Sequence, residues 1–241
     1  MISSEEVTGL PIILHAPDQS DIWYNVLKRR KTDRHTCNLH NLSIITWNNL
    51  GKGIFESSLD DWGLPYTVFG QDALVWNNLL KFKYNLEATV NCKTDYIMGV
   101  DSHDAAMIRN PEQLIALFEA SDCDLLFNSE AYFYPDYKIT YFQERKDFQH
   151  SLGNTKFRYL NSGAWIGRRD FCNVFFDYCS KIRLWELFDC TDMCKLYNCD
   201  QSVTHDAFMK FFPRVKLDYE CKIFLNIARL KPNEVSFETV S

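Results

Sequence analysis

No apolar run in these 241 residues approaches the roughly 18 to 20 that a membrane-spanning helix needs. Met1 to Gly9 is polar and acidic, so no basic stretch leads into an apolar core and no signal peptide is expected. Basic residues are in the minority. Lys and Arg number 26 against 32 Asp and Glu, leaving a net charge of -6 and a pI of about 5.5. That balance argues against a broad phosphate-binding surface, although a local basic groove is compatible with it. No internal repeat or low-complexity tract is visible. These absences predict a soluble, cytoplasmic protein that meets no membrane.

Apolar residues make up 46% of the chain and aromatics 15%, enough to bury a sizeable core and to argue against disorder. The length suits one large α/β domain or two small ones. The nine cysteines are scattered and odd in number. Cys190, Cys194 and Cys199 lie close together, but C-x3-C-x4-C with no His at finger distance is not a strong zinc spacing. They read as thiols in a reducing compartment.

Along the chain, the first forty residues stand apart. Ile12 to Leu14 is a short apolar run, and Ile22 to Leu27 opens a helix that runs into Lys28, Arg29, Arg30, Lys31 and Arg34. That cluster reads as a solvated helix end, or as a site for an anionic acceptor. Strand-like and helix-like segments then alternate. Leu42 to Trp47, Tyr66 to Phe69, Tyr96 to Val100 and Leu125 to Asn128 read as strands. Phe157 to Trp165 reads as a strand broken by Asn161, Ser162 and Gly163, and Val215 to Tyr219 and Lys222 to Phe224 close the pattern. Helical spacing covers Asp72 to Ala88, Pro111 to Ala120 (capped by Asn110), Phe171 to Leu187 and Asp200 to Phe211. Such alternation implies βαβ units and a mostly parallel sheet flanked by helices.

The most informative stretch ends the strand Tyr96 to Val100: two acids, Asp101 and Asp104, follow at once. Open α/β sheets bind ligands just beyond the carboxyl ends of their strands. A tight turn at Ser102 and His103 brings both carboxylates to one side. They repel unless a cation sits between them, and hard oxygen ligands suit Mg2+ or Mn2+. The competing reading is a surface turn or a helix cap.

This segment resembles the D-S-Y-D motif of the glycosyltransferase domain of the collagen lysyl hydroxylase family and its viral and bacterial relatives. Further blocks match in order. Leu126-Phe127-Asn128-Ser129-Glu130 with Tyr134-Pro135 is similar to F-S-A-E and its W-P, and Tyr159 to Gly167 to F-L-N-S-G-G-F-I-G. Asp200-Gln201 resembles the end of D-D-Q, and Leu217-Asp218 with Ile223 to Asn226 resembles L-D…I-F-Q-N. The resemblance covers roughly residues 42 to 228. It implies a GT-A-type, Rossmann-like domain over 41–241 with a small N-terminal extension at 1–40. It also implies a UDP-sugar donor, Mn2+ (or Mg2+), and transfer to a hydroxyl such as hydroxylysine, a glycan or a hydroxylated base.

Carried across residue by residue, the resemblance makes Asp101 and Asp104 metal ligands. It puts His103, Thr46 and Trp47 near the nucleotide, and Asn161, Ser162 and Gly163 around the donor sugar. Asp200, Gln201 and Glu130 fall near the reacting centre, Glu130 with the alternative of a buried acid bonded to backbone. The chain departs from the family where Cys199 precedes Asp200. It also shows no H-G-N segment, the family's source of a third metal ligand. Either the sequence stops short of that segment, another group such as His205 serves, or the metal site is weaker, and His205 reads first as an ordinary helix residue. Two rival functions remain at this stage. A non-catalytic nucleotide-sugar-binding or scaffold module fits the single acid. A nucleotidyltransferase would need a better phosphate loop than Gly51-Lys52-Gly53, which reads as a turn. The sequence says nothing of oligomeric state.

Overall fold

The computed structural model describes residues 11–17, 39–183 and 198–230. The basic cluster at 28–34, the helix expected from Ile22, and Cys190 and Cys194 lie outside them.

A six-stranded sheet runs through the molecule. Its strands are β2 (Leu42–Trp47), β3 (Thr67–Phe69), β4 (Tyr96–Asp101), β6 (Leu125–Glu130), β7 (Tyr159–Arg168) and β8 (Val215–Leu217), in the order β3-β2-β4-β7-β6-β8. Every pairing is parallel except those of β7, which runs antiparallel to both β4 and β6. The chain is thus α/β with a mostly parallel sheet. A second sheet of three short strands has the order β5 (Ala105–Met107), β1 (Ile13–His15), β9 (Phe224–Asn226). β1 comes from the segment that the sequence sets apart as an extension, yet here it is the central strand of this sheet.

Successive side chains of a strand face opposite ways, and both faces of the large sheet are buried. Ile45, Trp47, Ile97, Phe127 and Trp165 point to one side, against α2 (Leu80–Asn91), α4 (Thr140–Leu152), α5 (Arg169–Lys181) and α6 (Asp200–Phe211). Ile44, Met98, Val100, Leu126 and Ile166 point to the other, against α1 (Ile54–Asp61), α3 (Leu114–Glu119) and the small sheet. This double burial explains why β4 reads as a continuous apolar run and not as an alternation.

Three expectations need correction. The helix expected from Asp72 begins at Leu80, because Leu74 (99% exposed) and Val75 (80% exposed) face solvent and the apolar stripe they seemed to start does not exist. Asn110 does not cap a helix from Pro111. Its Oδ1 accepts from the Glu112 amide in a turn, and α3 starts at Leu114. Asn161 to Gly163 do not break the strand. β7 is continuous, but pairing with β6 jumps from Phe127–Trp165 to Asn128–Asn161, so residues 162–164 bulge without a β6 partner. The helix from Phe171 is seen to Lys181, and residues 184–187 of it lie outside the described segments.

Candidate active site

β2 and β4 end side by side, with Trp47 paired to Asp101. The chain then turns through Ser102 and His103 to Asp104 and enters β5. Ser102 holds the turn. Its hydroxyl donates to the buried Glu56 carboxylate (2.8 Å), and its carbonyl accepts from the Phe55 amide at the start of α1 (2.9 Å). Both flanking carboxylates thereby face β1.

β1 delivers a histidine to them. His15 lies opposite Ala105 on one side and Asn226 on the other, and it is 1% exposed. Its Nε2 is 3.4 Å from Asp104 Oδ1 and 3.8 Å from Asp101 Oδ2, and it makes no hydrogen bond. Nδ1 sits 3.3 Å and 3.1 Å from the side-chain amides of Asn128 and Asn226. One ligand atom each from His15, Asp101 and Asp104 fall within 4.8 Å of one another. Two hard oxygens and an imidazole nitrogen facing a common point fit a divalent cation. Nε2 makes no well-formed hydrogen bond and instead faces the carboxylates of Asp104 and Asp101 at ion-pair distance, an arrangement that a shared cation would complete.

Lys81 enters from the other side, on α2. Its Nζ is 2.5 Å from Asp101 Oδ1 and 3.3 Å from Asp200 Oδ2, and it lies 5.4 Å from the Trp47 ring centre. It thus links the carboxylate pair to the first residue of α6. Burial works against the charge on Lys81, but Asp101 and Asp200 prevail and raise its pKa. Burial likewise opposes charge on His15, and Asp104, with Asp101, reverses this and raises its pKa. Burial pushes the Asp101 carboxyl up against the pull of Lys81. For Asp104, burial is outweighed by His15 and the pKa falls.

Next to these lies a buried amide and carboxylate cluster. Gln201 donates to Glu130 (2.6 Å) and to the carbonyls of Tyr134 and Leu160 (2.9 Å each), and its oxygen accepts from the Ser162 amide (3.3 Å). Asn161 donates to Glu130 (3.4 Å) and accepts from the Gly163 amide (2.9 Å). Burial lifts the Glu130 pKa to about 7. The β7 bulge therefore brings Asn161, Ser162 and Gly163 against Glu130 and Gln201, and Gly163 against Asp101 and His15.

Three further expected residues flank this cluster. Thr46 is buried and its hydroxyl donates to the Val100 carbonyl (2.7 Å). Trp47 is 3% exposed and tilts against Trp165 in the core, so it presents no face on which a base could stack. His103 is exposed at the tip of the turn.

His205 is not near the carboxylates. It stacks on Phe133 at 4.6 Å, accepts from Gln149 (2.8 Å) and donates to the Tyr134 carbonyl (2.8 Å). Burial depresses its pKa from 6.5 to about 4. The folded state thus resists a proton that the unfolded chain takes up. The stability His205 supports is complete above pH 6.5 and drains away as pH falls toward 4, a loss of about 3 kcal/mol. Urea midpoints measured across that window should fall steeply for the wild type and less steeply for His205→Gln.

Sequence reasoning missed His15, Lys81 and Glu56. Two of them carried a faint signal. His15 ends an apolar run just as Asp101 does. Lys81 shares one helical face with the buried Tyr84, Asn85 and Ala88, where a solvated lysine would not stand.

The PLOD GT domain family model matches residues 36–240. The multifunctional procollagen lysine hydroxylase and glycosyltransferase LH3 of Rattus norvegicus and that of Homo sapiens are each 26% identical over 161 residues, 67% of this chain and 19% of theirs. The chain thus spans about a fifth of the length of these curated relatives. Among solved structures, a glycosyltransferase involved in the glycosylation of the major capsid of PBCV-1 aligns over 73% of this chain and 81% of that one, with a TM-score of 0.40 and 12% identity. His15 lies before the matched segment.

Proposed function

The chain belongs to the PLOD GT domain family, and on that premise we propose that it is a metal-dependent hexosyltransferase moving a sugar from a UDP-sugar to an acceptor hydroxyl. What carries the reading is the buried Nε2 of His15 facing the carboxylates of Asp101 and Asp104 beyond the end of β4. These three residues would hold Mn2+ or Mg2+. The cation supplies a Lewis acid that neutralises charge on the departing diphosphate.

The chain's own residues do the rest. Lys81 keeps a positive charge between Asp101 and Asp200, beside the departing phosphate. Asn161, Ser162 and the bare backbone of Gly163 line the donor sugar, where a side chain would block its approach. The anomeric carbon loses its bond to the phosphate oxygen and gains one to the acceptor oxygen, which gives up its proton. Glu130, with a pKa of about 7, is matched to receive a proton near neutral pH. Gln201 fixes the orientation of Glu130 through the 2.6 Å bond. Asp200 orients the acceptor or stabilises the oxocarbenium-like centre. The acceptor is a hydroxyl of hydroxylysine type, of a glycan or of a hydroxylated base, and the enzyme works in the cytoplasm.

The test is UDP release from a panel of UDP-sugars. Release should require Mn2+ or Mg2+ and stop on chelation. No release with any sugar under any metal would instead support a nucleotide-sugar-binding scaffold. Asp200→Asn should leave UDP affinity within a few-fold and slow turnover on the order of 10²-fold. Equal loss of both would move Asp200 from the reacting centre to donor binding.

A further inference from the structure

We propose that Glu56 is a positioning residue for the cation site, acting through Ser102 to set the geometry of Asp101 and Asp104. The inference rests on the metal reading above and concerns a residue outside every motif of the site.

Glu56 lies in the first turn of α1 and is 1% exposed. A carboxylate that deep must be hydrogen-bonded. Its bonds go to two side chains. Asn48 Nδ2 donates to Oε1 (2.5 Å), and the Ser102 hydroxyl reaches Oε1 and Oε2 (2.8 Å each). Asn48 also donates to the Ser102 hydroxyl oxygen (2.9 Å). Asn48 directly follows β2 and Ser102 directly follows β4, so one carboxylate ties together the ends of the two strands from which the site is built.

The fit around Ser102 leaves little freedom. Besides the hydroxyl bonds, its carbonyl is taken by the Phe55 amide. Gly53, just before α1, comes so close that a Cβ there would lie 2.1 Å from Ser102 Oγ and 2.4 Å from its carbonyl oxygen. Ser102 is the residue between the two proposed ligands. With its backbone and hydroxyl both fixed, Asp101 and Asp104 are aimed at His15 before any cation arrives, which is the preorganisation a binding site needs.

Calorimetric titration of Mn2+ into the full chain, without donor, tests this. Glu56→Gln and Ser102→Ala should each weaken Mn2+ binding roughly 10- to 100-fold, as loss of an outer-shell partner does. Ser102→Ala keeps the Glu56 charge, so its loss cannot come from removing a carboxylate near the cation. The double variant should bind no more weakly than Glu56→Gln alone, since both remove one connection. Wild-type Mn2+ affinity in both single variants, with only a lower melting temperature in EDTA, would overturn the proposal, and so would fully additive losses.

Asp101→Asn serves as the control for the underlying reading. If it binds Mn2+ like the wild type, or the wild type binds none, the metal site fails and not the clamp. The clamp is then judged by amide hydrogen exchange of residues 101–105 in metal-free protein. Faster exchange in Glu56→Gln supports it and unchanged exchange refutes it. Should Glu56→Gln not fold, Ser102→Ala decides by the same two readouts.

Discussion

Asp101→Asn is expected to lose metal-dependent sugar transfer by on the order of 10³-fold while keeping its fold. The estimate follows from the several kcal/mol that a Lewis acid contributes to a leaving diphosphate, at 1.36 kcal/mol per tenfold in rate. The fold should survive for a reason specific to this site. Burial already disfavours charge on Asp101, so a neutral amide of the same shape removes a strained anion. Its oxygen still accepts from Lys81, which keeps its second partner, Asp200, at 3.3 Å. Circular dichroism and melting in EDTA should match the wild type, while UDP release should fall to the level seen with chelator. Full activity in this variant would remove Asp101 from the metal site. A collapsed melting curve would make its role structural.

The second large effect is expected at Gly163, from a single methyl group. A Cβ there would lie 2.4 Å from His15 Cε1, 2.5 Å from Asp101 Oδ2 and 3.0 Å from Asn161 Oδ1. Three proposed site residues would have to move at once. None has easy room, since the His15 ring is fixed by Asn128 and Asn226, and Asn161 by Glu130 and the Gly163 amide. Overpacking of this kind costs about 1 to 3 kcal/mol of stability. Displacing two ligands by a fraction of an ångström should reduce turnover by on the order of 10²-fold or more. Gly163→Ala should therefore fold with a modestly lower melting temperature, bind Mn2+ weakly, and turn over slowly at any metal concentration. Normal Mn2+ affinity in Gly163→Ala would mean that His15 and Asp101 do not share a cation.

What could be seen in the sequence follows from how local each signal is. β4 and its trailing acids were legible because a strand buried on both faces is a dense apolar run, and its end is marked by the first charge. α6 was legible over its whole length, Asp200 to Phe211. α4 was not. Its buried face carries Arg145 and Gln149 beside Tyr141 and Phe142, with Arg145 paired to Asp206 and Gln149 to His205, so polar residues interrupt the apolar period. α1 is short and hides the buried Glu56 and Ser58 among its apolar positions. His15 could not be joined to Asp101 from sequence, because only the pairing of β1 with β5 and β9 brings them together. The same holds for Lys81, whose partners sit on β4 and α6. Thr46 and Trp47 show what a strand end alone leaves open. They stand at the expected strand end, on opposite faces of the sheet, and because both faces are covered neither side chain reaches the surface.

The most direct test of the central claim is calorimetric titration of UDP into the full chain with Mn2+ and again with EDTA, for the wild type and for His15→Ala. UDP should bind the wild type with Mn2+, bind far more weakly in EDTA, and lose most of the Mn2+ dependence in His15→Ala. Equal UDP affinity with and without metal, or an unchanged metal dependence in His15→Ala, would contradict a cation held by His15, Asp101 and Asp104.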